Sequence, residues 1–224
     1  MKLLAIDTSS SACSVALLIN NEVHTLHEED PRQQAKKILS HIHQVLSEAG
    51  ITLNQLDAIA FGAGPGSFTG IRIATSVAQG LGFAMQLPLI PISSLAALAQ
   101  ATFIDYGWQK LLVAVDARIQ EVYWGAYQVK NNLVELIGKE QVSLPSDLIF
   151  PDKSDWYGVG NAWDIYQLEI PAQPIKIDSA RLPMAKGIIP LAEAKFKSQQ
   201  WVSAEDAIPI YLRDNVAKKT NSPK

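Results

Sequence analysis

One cysteine, Cys13, stands in the 224 residues. No disulfide can close within the chain, so burial alone must hold the fold, and a reducing cytoplasm suits it. Histidine is nearly as scarce. His41 and His43 lie two apart, about 200° around a helix, and His24 and His27 lie three apart on a predicted strand, facing opposite ways. Neither pair converges on one ion, so no metal site is expected. Unbroken apolar runs of the ~20 residues that span a bilayer are also missing. The opening MKLLAIDTSS is too short in apolar residues for a secretory h-region, so neither export nor membrane insertion is expected. The apolar run at 87–101 is broken by Pro88, Pro91, Ser93 and Ser94, and reads as a strand followed by a helix. Nor is there an excess of either charge: 19 basic residues against 22 acidic give −3. A chain so balanced has no global attraction for nucleic acid, and would need a partner or a local basic patch to hold one.

What is present is enough apolar material for a real core, 48% hydrophobic against 18% charged, in one large domain or two lobes of about 100 residues. Residues 2–6 and 12–19 read as buried strands and 22–27 as a half-exposed one, with Asn20-Asn21 making the turn between the last two. After Asp30-Pro31, Ile38, Ile42, Val45, Leu46 and Ala49 form a helical stripe that Gly50 ends. Strand 56–61, a helix to about 84, strand 87–92 and helix 94–102 follow. The second half restarts: strand 111–115 ends in Asp116 as the first ends in Asp7, strand 121–129 turns at Asn131-Asn132, and 133–142 returns. The two aspartates precede their Asn-Asn pairs by 13 and 15 residues. A pattern met twice implies a duplicated lobe, not a solenoid. The expected division is a lobe at 1–105, a smaller one at 106–213 and a flexible polar tail at 214–224. Helix 180–200 is expected in pieces, broken at Pro183 and Pro190.

A strand that ends in aspartate and turns into a hairpin, twice over, is the layout of the actin-like, Hsp70-like and sugar-kinase (ribonuclease H-like) α/β fold, with two lobes of βββαβα type. In that layout Asp7, Thr8, Ser9 and Asp116 would face a cleft and hold a nucleotide weakly. The same residues are also ordinary turn formers. Ala117-Arg118-Ile119-Gln120 after Asp116 lacks the small residues of a phosphate turn, so the cleft would keep its shape without a catalyst.

The glycine-rich stretch 62–70, GAGPGSFTG, sits between strand and helix. It is an anion site by position or a tight turn with Ser67 or Thr69 as helix cap; it matches neither a Walker loop nor a dinucleotide fingerprint. In the following helix Gly70, Ala74, Ala78 and Gly82 recur every four residues, with Ile71 and Thr75 beside them. So apolar a helix needs cover on more than one side. Its own lobe supplies some; a second chain would supply the rest, with Ile38, Ile42, Val45 and Leu46 completing that surface.

Four segments carry a resemblance: Leu4-Ala-Ile-Asp-Thr-Ser9; Gly64-Pro-Gly-Ser-Phe-Thr-Gly-Ile-Arg-Ile73; Val115-Asp-Ala-Arg118 with Glu121-Val-Tyr-Trp124; and Tyr211-Leu-Arg213. In order and spacing, over nearly the whole chain, they resemble the bacterial TsaB (YeaZ) family. The resemblance implies a non-catalytic scaffold in the complex that moves threonylcarbamoyl from threonylcarbamoyl-AMP to N6 of adenosine 37 in tRNA. It would form a heterodimer with the paralogue TsaD, which carries the metal between two histidines four apart, and the ATPase TsaE would join them. It would also self-associate through the same first-lobe helices, reach tRNA only through the complex, and need no cofactor of its own. The chain departs from the family pattern at Gln34 and Ala35, where a histidine and a hydroxyl residue are usual, and at Ser40, where proline is. A stand-alone kinase or ATPase using Asp7, Asp116 and the glycine loop is the competing reading. No nucleophile–base motif supports a peptidase.

Overall fold

The computed structural model describes residues 1–30 and 33–213; the tail expected at 214–224 lies outside the described residues. β1 (Leu3–Asp7), β2 (Ala12–Ile19) and β3 (Glu22–Glu29) form an antiparallel meander. α1 (Gln34–Glu48) leads to β4 (Ala58–Gly64), parallel to β1, and α2 (Phe68–Met85) leads to β5 (Leu89–Ser93), parallel to β4. The first sheet therefore runs β3-β2-β1-β4-β5. α3 (Ser94–Tyr106) crosses to the second sheet, built of β6 (Lys110–Asp116), β7 (Val122–Lys130), β8 (Leu133–Ser143), β9 (Tyr157–Val159) and β10 (Lys176–Asp178), in the order β8-β7-β6-β9-β10. Both sheets thus read third-second-first-fourth-fifth strand, with three antiparallel strands and then two parallel ones. The duplication is a matter of topology, not only of spacing.

The turns follow from residue chemistry. Asn20 and Asn21 take φ of 53° and 64°, and Asn131 and Asn132 take 50° and 63°, the doubly left-handed pair that a two-residue hairpin requires and asparagine tolerates. The second lobe is the thinner one. Where α1 stands in the first, only a short 3-10 turn (Pro145–Asp147) separates β8 from β9, and α4 (Ala162–Ile165) is a single turn.

Every residue of β1 is buried because helices cover both faces of the first sheet. Leu4 and Ile6 face the cluster built with α1 and α2. Leu3 and Ala5 face Ile188, Ile189 and Ala192 of α5 (Ala185–Lys197). Two expectations are corrected here. α5 is one helix that carries Pro190 inside it: Ile188 and Ile189 before the proline and Ala192 after it are all seated on the sheet, so packing offsets the lost backbone bond. And α5, which a division at residue 105 assigns to the second lobe, packs on the first sheet and on α3, where Gly187 lies against the Ala97 carbonyl too closely for a Cβ. α3 is the shared wall, since Leu95, Leu98 and Ala99 join Leu111, Val113 and Tyr127 of the second lobe.

Candidate functional site

The Asp-Thr-Ser strand end and the glycine loop are one construction. Asp7 Oδ1 accepts hydrogen bonds from the Ser9 amide (2.9 Å) and hydroxyl (2.8 Å). Thr8 Oγ1 donates to the Gly70 carbonyl at 2.7 Å, and the Ser67 amide donates to the Ser9 carbonyl at 2.7 Å. A Cβ at Gly62 would overlap the Asp7 carboxylate, one at Gly66 the Ser9 carbonyl and one at Gly70 the Thr8 carbonyl. The loop is rich in glycine because another segment lies on it. Ser67 caps α2, its side chain accepting from the Gly70 amide.

Asp7 and Thr8 consequently do not line the cleft. Both are buried, and Asp7 Oδ2 has no hydrogen-bond partner among the described residues; burial pushes its carboxyl up to about 6. Ser9 and Asp116 do reach the cleft, a cavity of about 890 Å³ between the lobes. On the first-lobe side it is lined by Ser9 to Ser11 and the start of α2, and on the other by Asp116, Arg118 and Asn161. Asp116 is already engaged: it accepts from the Arg118 amide and the Tyr166 hydroxyl, both at 2.9 Å, and Arg118 Nη1 stands 3.4 Å away. Arg118, Ile119 and Gln120 all have positive φ (63°, 54° and 58°), so the turn that composition marks as poor in glycine is left-handed nonetheless. Gln34, one of the departures from the family pattern, donates to the Ser10 carbonyl at 3.0 Å and lines the cavity with Ala35.

Residues 210–213 close the cleft at the end of the segment 202–213, which sequence patterning misses because it forms no regular element. Val202 bridges to Leu89. The Ala207 carbonyl accepts from Gln79, and the Ile210 amide donates to the Ala63 carbonyl at 2.7 Å. Tyr211 takes a 2.9 Å hydrogen bond from Arg72 Nε, and Arg213 reaches the second lobe at the Ala117 carbonyl and Glu121. The Tyr-Leu-Arg motif is thus the clasp between the lobes.

The partner surface also needs correcting. Ile38, Ile42, Val45 and Leu46 of α1, and Gly70, Ile71, Ala74, Thr75, Ala78 and Gly82 of α2, are all buried in the chain itself. Gly82 lies under Leu89, where a Cβ would sit 2.7 Å from Cδ2. The small stripe of α2 is its inward stripe, used to bring the helix close to its own sheet. Turned outward are Ser76, Gly80 and Ala84, again four apart, with Phe83 72% exposed beside them and Leu39 on α1 57% exposed. Among the described residues a Cβ at Gly80 would meet nothing within 4 Å, so no packing between them requires that glycine.

Among the described residues, no group of three or more His, Cys, Asp or Glu is placed to hold a metal ion, and no helix is long and apolar enough to cross a membrane. His41 is buried on α1 with Nε2 3.2 Å from Glu28, and His24 and His27 lie on β3.

Comparison with known proteins decides the family. A family model described as TsaD, tRNA N6-adenosine threonylcarbamoyltransferase, matches residues 25–220. The "tRNA threonylcarbamoyladenosine biosynthesis protein TsaB" of Haemophilus influenzae is 39% identical over 98% of this chain and 96% of that one. The chain belongs to the TsaB (YeaZ) family. The protein of the same name from Escherichia coli is 35% identical over 98% of this chain and 97% of its own. The solved structure of YeaZ from Pseudomonas aeruginosa superimposes with a TM-score of 0.92 at 43% identity, covering 94% of this chain and 99% of that one. The match to the TsaD model sets this branch within the wider family of that transferase, and the actin-like fold read from the duplicated aspartate strands is the fold of the chain.

Proposed function

We propose that this chain is the non-catalytic scaffold subunit of the cytoplasmic assembly that transfers threonylcarbamoyl from threonylcarbamoyl-AMP to N6 of adenosine 37 in tRNA. Its relatives are named for the biosynthesis of that nucleoside. TsaD supplies the chemistry and TsaE joins the pair, while this chain brings no metal or cofactor to the reaction. The observation that carries the reading is the outer face of α2. Ser76, Gly80 and Ala84 leave a shallow lane along the helix, flanked by Phe83. A glycine in an exposed helix interior costs about 1 kcal/mol relative to alanine. With no contact among the described residues to explain it, Gly80 fits a helix that lets another helix come close. The same lane serves self-association when TsaD is absent, so heterodimer and homodimer exclude one another.

The test is Gly80→Arg, which changes nothing inside the molecule. Co-elution with TsaD should be lost while the thermal unfolding of the variant stays near wild type, and a reconstituted mixture with TsaD, TsaE and the activated donor should lose tRNA modification. Unchanged co-elution would refute the surface, and full modification without this chain would refute the subunit reading. A kinase or ATPase reading is not favoured, because Asp7 is buried away from the cleft and Asp116 is engaged by its own turn and by Tyr166.

A further inference from the structure

We propose that the outer edge of β3 accepts an extended, basic segment of another protein as a further strand of the first sheet. The inference does not rest on the subunit reading, and this edge is separate from the outer face of α2.

The two sheets end in four edges, β3, β5, β8 and β10, and three of them are closed. β5 carries Pro91, whose carbonyl accepts from Lys195 at 2.9 Å, and its Leu89 exchanges two backbone hydrogen bonds with Val202. β8 slips register against β7 between Ile137 and Gln141, where Gly138 has φ 77°, and its Val134 amide is taken by Gln100. β10 is only three residues long. Bulges, proline, short length and cover are the ordinary devices that stop an edge from pairing. β3 has none of them. Its eight residues pair with β2 in unbroken register from Glu22 to Glu29, and among the described residues no strand pairs with its other side.

The two-residue turn at Asn20-Asn21 decides which backbone groups are free. It makes Ile19 and Glu22 a hydrogen-bonded pair, so Glu22, His24, Leu26 and Glu28 turn their backbone groups to β2. Val23, Thr25 and His27 turn theirs outward, and among the described residues none makes a backbone hydrogen bond outside the sheet. Beside this edge lies a largely apolar groove of about 560 Å³, whose lining includes Leu18, Val23, Thr25, Phe103, Ile189 and Pro190. An added strand lays alternate side chains over that groove. Its main chain then supplies affinity, and the groove favours apolar residues on one of its faces.

Charge selects the occupant. Residues 22–30 hold four acids, Glu22, Glu28, Glu29 and Asp30, and no lysine or arginine. Lys37 pairs with Glu28 and Asp30, which leaves Glu22 and Glu29 near the two ends. His27 stands 3.7 Å from Glu29, but burial lowers its pKa, so it does not cancel that charge at neutral pH. Lysine or arginine at both ends of an incoming strand meets these two glutamates. A second copy of the chain does not fit. Antiparallel pairing of two copies about Thr25 sets Glu22 against Glu28 on both sides, and like charges directly opposite are destabilising.

The probe is an eight-residue peptide with lysine at both ends and threonine alternating with valine between them, titrated into the full chain. Laid antiparallel against 22–29, it sets valines opposite Val23, Thr25 and His27 and lysines opposite Glu22 and Glu29. Fluorescence anisotropy of the labelled peptide should show saturable binding, and the same peptide ending in glutamates should bind roughly tenfold more weakly or worse. Amide exchange followed by NMR should slow at Val23, Thr25 and His27, which adsorption by charge alone leaves unchanged. Thr25→Pro removes one outward donor without touching the ladder to β2, and should weaken binding roughly tenfold. Circular dichroism checks its fold; should it unfold, Glu29→Lys replaces it with the same expected direction. The proposal is overturned if millimolar peptide leaves those three amides unprotected, if both peptides bind equally, or if the folded variant binds as wild type does. Protection that rises with protein concentration alone overturns it too, because the occupant is then a second copy.

Discussion

The hydroxyl of Thr8 donates to the carbonyl of Gly70 across 2.7 Å and 62 residues of sequence. It joins the end of the first strand to the first turn of α2, so the two segments most characteristic of this chain are two sides of one contact. The relationship has a direct consequence for substitution. A Cβ at residue 70 would overlap the Thr8 carbonyl oxygen, which is backbone and cannot swing aside. Gly70→Ala should destabilise the protein by roughly 3 kcal/mol or more, by overpacking and by loss of the hydrogen bond. Urea unfolding measures it; a loss below about 1 kcal/mol would mean that α2 slides outward at little expense.

Gly80 gives the opposite outcome on the same helix. A Cβ there enters open space, so Gly80→Ala should stabilise the isolated chain by about 0.5–1 kcal/mol, read as a small rise in Tm. Ala78→Arg, two residues away, puts a charge into a fully buried position and should leave little folded protein. The contrast between neighbouring positions separates the partner face from the core face.

Asp7 makes stability depend on pH. Its carboxyl is raised from 3.8 to about 6 by burial, with only Ser9 to favour the ionised form. The folded state therefore holds the proton more tightly than the unfolded chain. The stabilisation is complete below about pH 4 and is lost as pH rises through 6, a change of about 3 kcal/mol at the outside. Asp7→Asn should remove that dependence. Relative to wild type it should gain stability between pH 4 and pH 8, and parallel profiles for the two proteins would refute the assignment.

Gln100 tests the joint between the lobes. It is buried on α3, donating to the Asn132 carbonyl (3.0 Å) and accepting from the Val134 amide (2.8 Å) in the second-lobe hairpin. Gln100→Leu leaves that amide and carbonyl without partners and should cost about 2–3 kcal/mol. Gln100→Glu keeps the acceptor alone and should recover part of it at low pH, when the added carboxyl carries a proton.

Much of the fold was legible because it rests on local chemistry. The two Asn-Asn pairs announce their hairpins, and the alternation in 22–27 and 121–129 announces strands that belong to one pattern twice over. The site was less legible. The Gly70–Ala74–Ala78–Gly82 stripe looks from sequence like a surface for another helix, since close approach demands small residues whichever body approaches. Only the placement of Leu89 and the Thr8 carbonyl shows that the approaching body is the chain's own sheet. The cleft lining was invisible as a group because Ser9 to Ser11, the start of α2, Asp116 and residues 210–213 come from separate segments, and no periodicity records that. Pro190 misled for a related reason, because its effect on a helix depends on what the neighbouring turns rest upon.

The seating of α5 on the first sheet bears on how the chain comes to be folded at all. Residues near 190 supply the cover for a strand that begins at residue 3, so the amino-terminal half emerges from the ribosome with one greasy side bare and stays so until almost the whole polypeptide has been made. A truncated product ending near residue 105 should bind a hydrophobic dye and precipitate. The two halves resemble each other as copies, yet neither can be finished without the other.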